Sequence, residues 1–586
     1  MSDDSVRAAL RSDAPLVLVE APAGCGKTHQ GADYAREMAA AGNSGRLLIL
    51  THTHAACSMF SDRTKGVGSR IEIRTIDSLI GQIASAYHAG LGLPADLAGW
   101  VRQREKGHSE LALKVAALLN RHPMIASSLA QRHPIVICDE HQDSSGDQHS
   151  VVMALLGRGA KLRVFADPMQ KIFKDKAVDG GCDPCDWKEL AGQAQAFEQL
   201  DVPHRWAKGC PHLGQWTLKA REALKTGGKV DLRSGVPPSV SIVFAENQAE
   251  KNFDYRLSAQ DRKPVDAFEK NQPSLLILTH YNDTARSLRS FFDRRIPLWE
   301  GHTRTGLERL VDAVRSGQGD CAALAAAVVV FMGDVGKGFS PSVFGDGFER
   351  EARDGCTAKR RGKPAKVQEL ARFLVADADH RGVANMLRRL WELKDTDGDF
   401  ADIEIDCYKE FWDAVRLGDF EAADAGLAEI THHRSYSRQK PPDKAISTVH
   451  KAKGLEFDTV IVPGLDRPPR SGKKPLFAWR TLPSPLTGEG AGQRGLLLAP
   501  IDETGGDKEP LYQYVRDLDK KAEDIEAGRL LYVAATRAKS HLYLLGCVKI
   551  DDGEIKMPSK RSLLGIAWSV VPNLPIPAPL SKFPSL

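Results

Sequence analysis

Ala21-Pro22-Ala23-Gly24-Cys25-Gly26-Lys27-Thr28 has the residue types that hold a triphosphate. Its glycines let backbone N–H groups close on a β-phosphate, Lys27 can reach the β- and γ-oxygens, and Thr28 offers a hydroxyl to Mg²⁺. A helix opening near His29 would turn its positive end toward the same anion. Further along, Asp139-Glu140-His141-Gln142-Asp143 places two carboxylates side by side. Asp139 can hold Mg²⁺, usually through water, while Glu140 polarises an attacking water. The bland alternative is a solvated acidic turn. It fails because an apolar strand aims the pair at the edge that carries Lys27. These residues predict a nucleoside triphosphatase.

The elements around them suit that chemistry. Leu16 to Val19 is a short apolar run without alternation, as in a strand buried on both faces of a parallel sheet. Ala32, Ala35, Met38 and Ala39 mark the inner face of the helix that follows. Leu47 to Leu50, Pro134 to Cys138 and Leu162 to Ala166 are further apolar strands, and Ile71 to Arg74 alternates. Thr51, Thr53 and Thr75 stand where strands stop, at the carboxyl edge where open α/β sheets bind ligands. They can contact a sugar-phosphate backbone or cap the strand ends. Gln82 to His133 reads as a small helical insertion.

The motifs, taken in order, carry a resemblance. APAGCGKT, DEHQD and ADPMQKIF (Ala166 to Phe173) resemble motifs I, II and III of the UvrD/Rep/PcrA-type superfamily 1 DNA helicases. Leu200 to Arg205, LDVPHR, resembles an L-x-x-N-Y-R element. Leu276 to Leu288 resembles the strand and helix that follow in the second motor domain. Ser447 to Asp458, STVHKAKGLEFD, and Tyr532 to Ala538, YVAATRA, are similar to motifs V and VI. The resemblance spans residues 16–545 and implies an α/β fold of two RecA-like P-loop domains with parallel sheets, each interrupted by a mostly helical insertion.

The resemblance also implies roles. Arg205 and Arg537 match two arginine fingers, supplied from a second lobe when the cleft closes. Gln170 matches a sensor of the γ-phosphate, and Glu456 a glutamate near the ribose. ATP and Mg²⁺ are the implied cofactors, the former cradled by Ala21 to His29. Single-stranded DNA and its junctions with duplex are the implied partners, and 3′ to 5′ the implied direction. A groove for the strand would be lined by Thr51, Thr53, Thr75, Phe173 and His450. Phe173 stands where the family has an aromatic that stacks on a base, although a lone phenylalanine also serves as core. The chain departs at the adenine pocket. No glutamine precedes Gln30, Val6 lies near the position of the family's adenine-reading glutamine, and His204 replaces a tyrosine.

The expected domains are 1–200 (with its insertion at about 82–133), 201–300 and 441–550 for the two halves of the second motor domain, 301–440 for a helical 2B-like insertion, and a tail at 551–586. Cys182-x-x-Cys185, with His204, Cys210 and His212 downstream, has zinc-ligand types. The spacing of the second half is poor, and a plain loop is the preferred reading. Histidines in Thr51 to Ala56 and His432-His433 read as surface or cap residues. Basic runs at Lys359 to Lys366 and Arg467 to Lys474 are either solvated surface or phosphate contacts. Thr481 to Gly505 is Gly/Pro-rich and reads as a loop. No appended domain is recognisable after Leu545.

Lys plus Arg exceed Asp plus Glu only by 80 to 76, so a polyanion must be met by local patches. Scattered cysteines give no disulfide framework, the N-terminus lacks an apolar signal, and Cys321 to Met332 is too short to span a bilayer. A cytoplasmic protein with no membrane partner is expected. The expected function is an ATP-dependent helicase or translocase in DNA repair, recombination or defence. The alternative is a DNA- or nucleotide-sensing ATPase that regulates a partner nuclease in antiphage defence.

Overall fold

The computed structural model describes residues 2–42, 45–102, 104, 106–172, 181–182, 185–226, 228, 230, 235–246, 255–292, 296–299, 302–337, 344–400, 404–405, 442–467, 477–483, 494–500, 510–551, 554–556, 562–563 and 565. Phe173, His432-His433, the basic positions 468–474 and most of the expected tail lie outside them.

The first lobe opens with α1 (Ser2–Arg11), β1 (Leu16–Glu20), α2 (Lys27–Ala40), β2 (Leu47–Thr51), α3 (His54–Arg63) and β3 (Ile71–Thr75). Four helices follow without a strand between them: α4 (Ile76–Ala86), α5 (Leu97–Arg102), α6 (Gly107–Arg121) and α7 (Pro123–Arg132). Then come β4 (Ile135–Cys138), α8 (Gly146–Leu156), β5 (Lys161–Ala166), α9 (Trp187–Gln193) and β6 (Ala196–Gln199). The strands form one parallel sheet in the order β3-β2-β4-β5-β1-β6. β1, β2 and β4 are buried along their whole length, which is why their sequences show no alternation. Each parallel connection crosses over a helix, so the carboxyl ends of β1, β2, β4 and β5 meet at one edge. β2 and β3 are in register with Thr51 opposite Thr75.

The second lobe is built from α10 (Pro211–Lys225), β7 (Val240–Glu246), α11 (Ala259–Asn271), β8 (Leu275–Thr279) and α12 (Asn282–Phe291). An all-but-helical block interrupts it: α13 (His302–Ser316), α14 (Cys321–Val335), the short β9 (Gly336–Lys337), α15 (Asp346–Arg353), α16 (Lys363–Ala376), α17 (His380–Thr396) and β10 (Glu404–Ile405). The apolar run at Cys321 is the central helix of this block, with Leu324, Ala325, Val328 and Met332 buried. The lobe resumes with β11 (Lys444–Thr448), β12 (Phe457–Pro463), β13 (Phe477–Pro483), β14 (Arg494–Pro500), α18 (Pro510–Ala535), β15 (Ala538–Asp551) and β16 (Glu554–Lys556). Its parallel order is β11-β8-β12-β15-β7, and β16 folds back antiparallel on the end of β15. The fold is α/β with two parallel-sheet lobes, as the motifs imply.

One expectation needs correcting. Thr481 to Gly505, read as a loop, contains β14 and the end of β13, an antiparallel hairpin paired from Phe477↔Pro500 to Pro483↔Arg494. The glycines and prolines flank the apolar Leu496-Leu497-Leu498 run rather than interrupting it, and Leu497 packs beside Ala499, Tyr512 and Val515. Among the described residues, no helix is long and apolar enough to cross a membrane.

Candidate active site

The phosphate loop leaves β1 at Ala21, whose N–H donates to the Ala166 carbonyl (2.8 Å), and enters α2 at Lys27. Gly24 and Gly26 have φ of +76° and +85°, a region that an L side chain enters only at a cost. Gly24 has a second reason to be glycine: a Cβ there would lie 2.6 Å from the ring of Trp206. That tryptophan is fully buried and donates from Nε1 to the Ala538 carbonyl (2.7 Å), so one ring bridges the loop to the second sheet. Cys25 lies inward, with burial and then Asp167 pushing its thiol up to about 12, so it is an inert packing residue. His29 faces outward, 3.2 Å from Asp33 on the next turn.

β4 delivers Asp139 and Glu140 to the same edge. Glu140 has φ +54°, one of two non-glycine residues with positive φ among those described. Such backbone costs about 1 kcal/mol or more and persists where surrounding contacts hold it. Here it turns the chain into a short 3₁₀ segment and swings the carboxylate back onto Lys27. Lys27 pairs with Glu140 and lies 3.4 Å from Asp139 Oδ1. Burial disfavours the Lys27 ammonium, but Asp139 and Glu140 outweigh it and hold its pKa above the ordinary value. Burial also works against the Glu140 carboxylate, and Lys27 with Lys453 reverses that, holding it well below the usual range. For Asp139 burial prevails and raises the pKa. Asp139 Oδ1 is buried, with the Lys27 ammonium 3.4 Å away and no hydrogen bond of ordinary length, so a metal cation could take that place once Lys27 turns to phosphate. With the Thr28 hydroxyl at the start of α2, the donor set fits Mg²⁺, an oxygen-seeking ion.

Gln170 sits at the end of β5 and donates to Asp167 Oδ2 (3.0 Å). Asp167 is a buried hub: it also accepts from Arg221 (2.9 Å) and from the Tyr532 hydroxyl (2.9 Å). Tyr532, from α18, in turn accepts from the N–H of Ala23 in the phosphate loop (3.0 Å). Gln142 ties motif II to this hub, accepting from the Asp167 N–H (3.1 Å) and donating to Glu140.

Arg537 follows α18 and is almost wholly buried, its Nη2 3.5 Å from Gln170 Oε1 and its Nη1 3.3 Å from the Leu455 carbonyl. Burial and then the Arg205 cation bring its pKa down to about 10, which leaves it charged at neutral pH. Arg205 Nη1 donates to the Thr536 carbonyl (2.5 Å), and its Nη2 pairs with Glu456. Glu456, expected near a ribose, is thus engaged by an arginine. The expectation that both arginines come from the second lobe needs correcting for Arg205. It lies just beyond edge strand β6, and its own N–H donates to the Gly24 carbonyl (3.0 Å), so its backbone belongs to the phosphate loop while its side chain reaches across.

Lys453 was missed in the sequence. It stands in motif V and crosses the cleft to pair with Asp143, to donate to the Gln170 carbonyl (3.0 Å) and to lie 3.8 Å from Glu140. Its signal was present in STVHKAKGLEFD, but nothing in its spacing marks one lysine over another. Tyr532, Trp206 and Arg221 were missed because their partners Ala23, Ala538 and Glu20 lie far away in the chain.

Val6, near the position expected for an adenine-reading residue, is fully buried in α1. His204 lies over Gly26, 3.1 Å from where a Cβ would stand, and its Nε2 is 2.7 Å from Asp3 Oδ2. The strand-groove candidates are split. Thr53 and Thr75 cap α3 and α4, accepting from Ala56 N (3.2 Å) and Ser78 N (3.1 Å). Thr51 is buried with its hydroxyl donating to the Thr53 carbonyl (3.1 Å). His450 belongs to the other lobe, stacked at 5.9 Å on His280, which stacks at 4.2 Å on Tyr281.

Two family models and two curated proteins match parts of the chain. Residues 5–175 match the AAA domain family, and residues 418–549 match the UvrD-like helicase C-terminal domain. A stretch of 114 residues is 38% identical to an ATP-dependent helicase/nuclease subunit of Geobacillus thermodenitrificans, covering 19% of this chain and 8% of that protein. A stretch of 118 residues is 32% identical to the protein of the same description from Limosilactobacillus fermentum, again covering 19% and 8%. The matched stretch thus spans less than a tenth of the length of these relatives.

Proposed function

We propose that this chain, which belongs to the UvrD-type superfamily 1 helicases, hydrolyses ATP in the cleft between its lobes and uses the cycle to move along single-stranded DNA. The observation that carries the reading is the convergence of Lys27, Asp139, Glu140, Gln170, Arg205 and Arg537 from both lobes on one edge. Bound Mg²⁺ would neutralise phosphate charge. Lys27 would leave Glu140 for the β- and γ-phosphates, and loss of that partner raises the basicity of Glu140, which then takes a proton from the attacking water. Lys453, Tyr532 and Trp206 make the two lobes feel the same event, since each spans the cleft. The groove would draw on Phe173, His450 and the starts of α3 and α4, whose first-turn backbone N–H groups would suit phosphate oxygens while the Thr53 and Thr75 hydroxyls serve as helix caps. Movement from 3′ to 5′ rests on the family resemblance alone.

The decisive comparison uses the purified chain. Displacement of a bound end-label from single strands should be efficient, whereas separation of a long tailed duplex should be poor. Translocation needs only the two lobes, while unwinding must offset stacking of about 1.4 kcal/mol per step. Binding should weaken steeply with salt, and Phe173→Ala should leave basal hydrolysis intact while uncoupling movement. Processive unwinding of the long duplex by the chain alone would overturn the prediction.

The base pocket gives another expected result. With Val6 buried and a His204–Asp3 pair over Gly26, GTP or CTP should support DNA-stimulated hydrolysis within roughly tenfold of ATP, since each lost base contact is about one hydrogen bond's worth. A nucleotide panel showing strict ATP dependence would place adenine recognition elsewhere.

A second reading has one observation in its favour: the relatives are described as subunits of a helicase/nuclease. The same ATPase could gate a partner nuclease in DNA repair or in defence. Hydrolysis without movement in the end-label assay would favour it.

A further inference from the structure

We propose that His141, His149 and Cys185 bind a zinc ion beside motif II. The three residues come from separate places: His141 from the 3₁₀ turn after β4, His149 from α8, and Cys185 from the segment before α9. Their ligand atoms all lie within 4.8 Å of one another. The sequence had offered Cys182 and Cys185 with histidines further along the chain, but the histidines that approach lie upstream. The proposal does not depend on the ATPase reading.

The two imidazoles meet as a hydrogen-bonded pair with the Cys185 sulfur within 4.8 Å of both nitrogens. His141 Nε2 and His149 Nδ1 are 2.9 Å apart, with the rings tilted 54° to each other. Two imidazole nitrogens on one tetrahedral zinc, each at about 2.0 Å, are separated by about 3.3 Å, so seating the ion asks the pair to open by a few tenths of an ångström. The other nitrogen of His141 is already held: Nδ1 is 3.2 Å from Ser144 Oγ, which is itself 3.0 Å from His52 Nε2. An outer partner of this kind fixes the ring so that Nε2 is the one presented to a metal. Cys182 stays outside this cluster, its N–H donating to Asp147 Oδ1 (2.9 Å), so the fourth position would fall to water.

The donor set selects the ion. Two imidazoles and a thiolate suit zinc, whereas Mg²⁺ takes oxygen, so this site and the Asp139 site next to it discriminate between metals by chemistry. Binding releases the Cys185 thiol proton to solvent and forms a Zn–S bond. The ion would clamp Cys185 and α8 to the turn that carries Glu140, making a staple behind motif II.

The full chain, expressed with zinc in the medium and desalted under a phosphine reductant, should carry about one zinc per chain by mass spectrometry. Cys185→Ser and His149→Ala should each carry roughly tenfold less. After chelation, titrating the parental chain with Co²⁺ should give the d–d bands of tetrahedral cobalt and a thiolate charge-transfer band, the latter absent from Cys185→Ser. Lys27→Ala should keep its zinc, which separates this site from the phosphate site. A parental chain that retains no zinc and gives no cobalt spectrum would overturn the proposal. So would parental zinc content in the His149→Ala Cys185→Ser double variant.

Discussion

Glu140→Gln should bind ATP and almost stop hydrolysing it, with kcat down by roughly 10²- to 10⁴-fold. The amide keeps the shape and can still meet Gln142, but it cannot accept the water's proton. The variant also isolates what Lys27 does. In the structure Lys27 is shared between Asp139 and Glu140, so nucleotide must compete with those carboxylates for the ammonium. Removing one competitor should tighten ATP binding while chemistry fails. Lys27→Ala should do the reverse and lose binding and turnover together, because among the described residues no other cation is paired with both carboxylates. Equilibrium binding of a fluorescent nucleotide and single-turnover hydrolysis separate the two. Parental turnover in Glu140→Gln would show that another group activates the water.

Arg537→Ala should lower kcat by roughly 10³-fold or more with little change in affinity for single-stranded DNA in the absence of nucleotide. Transition-state arginines in phosphoryl transfer are worth that much, and a group that acts there contributes little to the ground state. The side chain is already aimed: burial, the Leu455 carbonyl and Gln170 hold it at the cleft. Arg537→Lys should recover little, because lysine keeps the charge and loses the planar fork. Arg205→Ala should act in the same direction and also release Glu456 and the Thr536 carbonyl, so its effect should include looser coupling of the lobes. Normal turnover with a large loss of DNA affinity would move these arginines into the nucleic-acid groove.

The phosphate loop, the Asp139-Glu140 step and the buried parallel strands were legible because each is local: a few adjacent residues define it. Leu16 to Val19 could be read as a buried strand from its unbroken apolar run alone. The hairpin at Phe477 to Pro500 was hidden because turn-forming residues crowd its sequence, although Leu496 to Leu498 signalled a strand. What could not be read was anything that depends on two distant segments meeting. Lys453 and Asp143, Tyr532 and Ala23, Trp206 and Ala538 are joined only by the closing of one lobe on the other. Cys185 was visible as half of a Cys182-x-x-Cys185 pair, but the histidines that approach it lie upstream, where no spacing rule would look.

The helical block between α12 and β11 draws its core from its own span, Leu310 to Phe400, with none of the motor's sheet residues among them. A core closed on itself uncouples two histories. Substitutions there can change the block's outer faces, or how long its helices are, without disturbing the packing beneath Lys27. Selection can therefore alter the block's surface while the packing at the sheet edges stays as it is, and lineages should differ most in this block and least at those edges.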